Sequence, residues 1–119
     1  MTADLAKAVA HLASTVREGR GAVLMDLDGV PVEQAAPPDG ADLEAIAGEY
    51  AGLLRQAQSL SSELGCGAPL RFTVRGASRR IVFAFVPEGL VLGVEAGPTA
   101  LRGQMQRAVA QAAGQLDEI

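Results

Sequence analysis

The chain has 119 residues, 49% of them apolar, enough for one domain with one core and too many for a disordered tail. Ten Lys and Arg stand against fourteen Asp and Glu, a net charge of −4, and the only aromatic rings are three Phe and one Tyr. That charge has the wrong sign for gripping phosphate backbones and so few rings make a poor stacking platform, so nucleic acid is excluded as a partner.

A single cysteine (Cys66) and a single histidine (His11) leave no internal disulfide and no Cys/His zinc site. Asp4, Lys7 and His11 interrupt the N-terminal segment, so it lacks the apolar core of a signal peptide. The longest wholly apolar run, Ile81 to Val86, falls far short of the ~20 residues of a membrane span. A cytoplasmic protein without direct membrane insertion is expected, as one domain over residues 1–119.

In chain order, Thr2 or Asp4 caps a first helix with Leu5, Val9, Leu12 and Val16 on one stripe. Gly19-Arg20-Gly21 ends it and turns the chain. Ala22 to Leu27 is a continuous apolar run suited to a strand buried on both faces. Asp28-Gly29 then signals a tight hairpin turn into Val30 to Ala35, an edge strand because Pro31 cannot donate to a ladder. After the loop Pro37-Pro38-Asp39-Gly40, Asp42 caps a long helix running to about Leu64. Its apolar arc spans Leu43, Ile46, Ala47, Tyr50, Leu53, Leu54, Ala57, Leu60 and Leu64. Ala45, Gly48, Ala51 and Gly52 thin the flank, where another backbone has room to approach.

Leu70 to Arg75 alternates strictly between apolar and polar residues. Gly76-Ala77-Ser78 leads into Ile81 to Val86, and Pro87-Glu88-Gly89 into Leu90 to Val94, an antiparallel meander. Gly97-Pro98 opens a last helix with Leu101, Met105, Ala108, Ala112 and Leu116 on one stripe. The expected fold is α+β, in the order αββαβββα, with a five-stranded antiparallel sheet. The terminal helices cover one face and the long middle helix the other. One helix cannot cover five strands alone; a second copy of it would, which predicts a two-fold dimer.

Chemistry-bearing residues are scarce. Val23-Leu24-Met25-Asp26-Leu27-Asp28-Gly29-Val30 resembles the first motif of the haloacid-dehalogenase phosphatases, in which the first Asp is the nucleophile and Mg²⁺ screens the phosphate. The resemblance stops there. The only lysine, Lys7, precedes the motif, and no aspartate lies between Asp42 and Asp117 to hold the metal. The alternative is a hairpin turn in which Asp28 accepts local backbone N–H bonds. No catalytic residue, metal site or cofactor is assigned.

Arg71, Arg75, Arg79 and Arg80 form a positive hairpin with no acid between Glu63 and Glu88. It reads either as a docking patch for an acidic surface or as solvated charge guarding a strand edge. Tyr50 is an interface anchor or a core residue with a wet hydroxyl. His11 has nothing beside it to orient a base, and Cys66 lacks a CxxC partner. Gly19-Arg20-Gly21 precedes a strand, so it lacks the helix N-terminus of a phosphate loop.

Element order and local residues together resemble the roadblock / dynein light chain 7 family, in its bacterial MglB-like form. The residues that carry this are Gly19-x-Gly21 before an apolar strand ending Asp26-x-Asp28-Gly29, and Leu64-Gly65 closing the middle helix. The strand triplet and the helix soon after it complete the pattern. The alanine-rich helices depart from it. The resemblance implies a profilin-like fold and a homodimer joined through Leu70, Arg71, Phe72, Thr73, Val74 and Arg75. The paired middle helices would then meet at Ile46, Tyr50 and Leu53. It further implies a Ras-like small GTPase on Glu49, Gly52, Arg55, Gln56 and Ser59, with the chain acting as its GTPase-activating protein or as a scaffold. Arg55 is the arginine to test as a finger; no enzymatic activity of the chain's own is expected.

Overall fold

Leu5, Val9, Leu12 and Val16 do fall on one buried stripe, the first of the periodicities that become elements. The computed structural model describes residues 2–16, 18–35, 43–100 and 102–117. Among them the order is α1 (Thr2–Thr15), β1 (Gly19–Asp26), β2 (Pro31–Ala35), α2 (Leu43–Glu63), β3 (Arg71–Arg75), β4 (Arg80–Val86), β5 (Leu90–Ala96) and α3 (Arg102–Asp117). Every strand pairing is antiparallel, and the spatial order is β2-β1-β5-β4-β3. β2 and β3 are therefore the two edges.

Strand alternation divides the core into two layers. Ala22, Leu24, Val82, Ala84, Leu92 and Val94 pack with Val9 and Leu12 of α1 and Met105 and Val109 of α3. Val23, Met25, Ile81, Phe83 and Val91 face the other way, onto Ala47 and Leu54 of α2. β1 is buried on both faces because it lies inside the sheet with helices on either side.

Three local expectations change. Gly19 and Gly21 do not turn the chain; they begin β1, which bulges between them against β5. The turn lies earlier, where Gly19 N–H donates to the Val16 carbonyl at 3.0 Å. Pro98 does not sit in the first turn of α3. It belongs to a turn in which Ala100 N–H reaches the Gly97 carbonyl (3.2 Å), and the helix begins at Arg102. Proline suits the second position of a β-turn as well as a helix start, so the sequence signal serves both. Finally, the carboxylate that organises the β1–β2 turn is Asp26 and not Asp28. The Pro37–Gly40 loop, the Asp42 cap and Leu101 lie outside the described residues.

Candidate docking face

At 3.6 residues per turn α2 carries three distinct faces. Ala47 and Leu54 are buried against the sheet, and Ala51 is buried beside the β1–β2 turn at Gly29. About 100° around the helix runs a second apolar stripe, Tyr50, Leu53, Ala57 and Leu60, continued just past its end by Leu64. It is left largely open: Leu53 is 48% exposed, Leu60 54% and Leu64 74%. The third face points outward and carries Glu49, Gly52, Arg55, Gln56, Ser59 and Glu63. Five of these, with Leu60, line a shallow groove of about 500 Å³; Glu49 stands outside it.

The apolar stripe leans toward β3. The Tyr50 ring lies 5.6 Å from that of Phe83, and the Phe72 ring 6.4 Å from Phe83 on its other flank. Tyr50, Phe72, Val74 and Phe85 are all only half-buried, so the sheet face beyond α2 is incompletely covered. Leu70 is exposed ahead of β3, and Arg71, Thr73 and Arg75 are exposed on the opposite face from Phe72. The Ile46 side chain lies outside the described residues.

The β1–β2 turn buttresses the other flank of α2. Asp26 Oδ1 accepts from the backbone N–H of Asp28 (2.9 Å) and of Val30 (3.0 Å). Gly29, at φ 85°, brings its backbone against Gly48 and Ala51. The hairpin thus approaches that flank at the Gly48 backbone and the Ala51 side chain, while the space a Gly48 side chain would take stays open. Arg55 donates to the Leu27 carbonyl, and its Nη1 lies 3.7 Å from Asp28 Oδ1. The arginine is fastened to the turn while half of its side chain stays in solvent. Sequence reading missed this link because Leu27 and Arg55 are brought together only by the packing of the turn on the helix.

The arginine hairpin separates on folding. Arg79 Nε lies 3.2 Å from Glu95 Oε2, a carboxylate with no exposed surface. Arg80 donates to the Ala100 carbonyl. His11 and Cys66 are exposed, His11 with Thr15 Oγ1 3.3 Å from Nε2. Among the described residues no three His, Cys, Asp or Glu side chains gather where they could hold a metal, and no helix is long and apolar enough to cross a membrane.

The family model of the Roadblock/LC7 domain matches residues 3–96. The chain belongs to the Roadblock/LC7 family. Among solved structures this roadblock chain is similar to Myxococcus xanthus MglB, with TM-score 0.87 at 17% identity, over 98% of this chain and 87% of that one. It is similar also to a Roadblock/LC7 domain from Streptomyces avermitilis, with TM-score 0.82 at 21% identity, over 95% and 94%. Acanthamoeba castellanii profilin II matches at TM-score 0.58 and 16% identity, over 92% and 97%, so the roadblock fold here is profilin-like. No curated protein matches.

Proposed function

We propose that this roadblock chain works as a homodimeric regulator that binds a Ras-like small GTPase and stimulates its hydrolysis, in the manner its MglB-like fold suggests. The observation that carries the dimer is the uncovered half of the α2 side: an open stripe of Leu53, Leu60 and Leu64 beside half-buried Phe72 and Val74. A second α2 laid alongside the first would bury the stripe, and β3 pairing across the two-fold would satisfy an edge that otherwise invites aggregation. The outward face of α2 then remains free for the GTPase. Arg55 is pre-positioned there by the β1–β2 turn, at the groove lined by Gly52, Gln56 and Ser59. A regulator of this kind accelerates hydrolysis by fixing its partner's own switch loops and catalytic groups.

The test is light-scattering mass after size exclusion, with a Ras-like GTPase held by a GTP analogue or by GDP. Two chains plus at least one GTPase, in the GTP-analogue state alone, is the expected result. Exchanging charge at Glu49→Lys together with Arg55→Glu should abolish that complex and leave the dimer. An unchanged complex would remove this face. Binding without faster hydrolysis would leave a scaffold. The phosphotransferase reading has less support, because Asp26 Oδ1 is occupied by the amides of its own turn.

A further inference from the structure

Strand parity sorts the arginines of the β3–β4 hairpin into two sets. Arg79 lies on the α2 side, against Glu95. Arg75 and Arg80 are direct cross-strand partners on the other side. Arg71 shares that side through Thr73, whose hydroxyl accepts from Gln106 of α3 at 3.0 Å. Arg102, exposed, opens α3 just beyond Ala100, the residue whose carbonyl Arg80 holds.

Like charges directly opposite on an antiparallel pair repel and destabilise the ladder. Little on this side offsets them. The sequence has no acid between Glu63 and Glu88 or between Glu95 and Asp117. Glu95, paired with Ile81, points to the α2 side. Glu18, at this end of the sheet, is engaged by Thr99, and Glu33 lies on β2 at the far edge. The Nε of Arg80 is buried with no hydrogen-bond partner among the described residues. A bound anion would offset the repulsion between Arg75 and Arg80.

We propose that the α3 side of the β3 edge, built from Arg71, Arg75, Arg80 and Arg102, docks an extended acidic polypeptide segment. A membrane anchor combines a basic face with inserting apolar side chains. Here Leu53 and Leu60 belong to α2 and Leu64 follows it, Leu70 precedes β3 in the parity of Phe72, which packs on the α2 side, and Val30 and Val32 lie at the far edge of the sheet. The four cations are all arginine, whose planar fork takes carboxylates through two hydrogen bonds. Arg71 and Arg75, four strand residues apart, stand ~13 Å from each other, a spacing that an extended chain with acids at alternate positions repeats. This surface is on the opposite side of the sheet from the GTPase face of α2, although Arg71 and Arg75 lie on the strand proposed to pair across the two-fold.

The experiment uses fluorescence anisotropy with a labelled peptide of alternating Glu and Thr, about 12 residues long so that it covers the five-residue β3 and reaches beyond it, in salt of about 0.15 M. Saturable binding is expected, weakened at least about tenfold in Arg71→Glu/Arg75→Glu and in Arg102→Glu. Arg102 lies outside β3, so its variant reads the patch even where the double variant alters the strand edge. Arg75→Thr should lose binding and raise Tm, since it removes the like-charge pair. Absence of binding, or unchanged affinity in Arg102→Glu and Arg75→Thr, overturns the proposal. So does preferential binding of phosphatidylserine vesicles or a single-stranded RNA that the peptide fails to displace.

Discussion

A Cβ added to Gly29 would stand 3.0 Å from the Cα of Gly48, whereas one added to Gly48 would meet nothing within 4 Å. The two glycines touch, yet only one of them is required. Gly29 also holds φ at 85°, where an L side chain is strained. Gly29→Ala should therefore cost about 1–3 kcal/mol. Gly48→Ala, in the middle of a helix, should gain about 0.5–1 kcal/mol. Urea unfolding of both variants checks the opposite signs.

Asp26 is predicted to act as a turn residue. Asp26→Asn keeps an oxygen for the Asp28 and Val30 amides and should cost under about 1 kcal/mol, while Asp26→Ala orphans both and should cost about 1–3 kcal/mol. Phosphatase activity against a small phosphomonoester should be absent before and after either change; activity lost on Asp26→Asn would restore the enzyme reading.

Leu53→Glu and Leu60→Glu test the open stripe. Each side chain is about half exposed, so thermal unfolding at low protein concentration should move by no more than about 0.5 kcal/mol. Mass by light scattering should fall from two chains to one. A dimer that survives both changes would place the two-fold elsewhere.

The Arg79–Glu95 pair should respond asymmetrically. Arg79→Ala leaves a fully buried carboxylate without its counter-charge, expected to cost about 3 kcal/mol. Glu95→Gln leaves behind an arginine whose side chain is 40% exposed and can turn to water, so its cost should be much smaller. Adding Glu95→Gln to Arg79→Ala should recover most of the loss, which a double-mutant cycle reads directly.

The layers of this fold were legible because they depend on period alone. The four-three-four spacing of Leu5, Val9, Leu12 and Val16 and the alternation of Phe72 and Val74 each admit one buried face. The open stripe on α2 was legible only as excess width: the sequence shows that Leu53 and Leu54 are both apolar, not which of them the sheet covers. Contacts between distant residues left no signal. Arg79 meets Glu95 because strand register sets β4 beside β5, and Arg55 meets Leu27 because a glycine turn lies down on a glycine in the helix. Punctuation residues misled where one residue serves two geometries, as Pro98 does.

The order β2-β1-β5-β4-β3 has a consequence for synthesis. The hairpin of β1 and β2 emerges early, but the neighbour that completes β1 is β5, roughly 70 residues later, or about 4–14 s at ribosomal speed. For that interval an apolar strand buried on both faces in the finished protein has one open edge, and until α2 emerges it has a helix on one face alone. Nascent chains of this protein are thus at their most vulnerable to mispairing at the β1 edge in the window before Leu90 to Ala96 leave the exit tunnel.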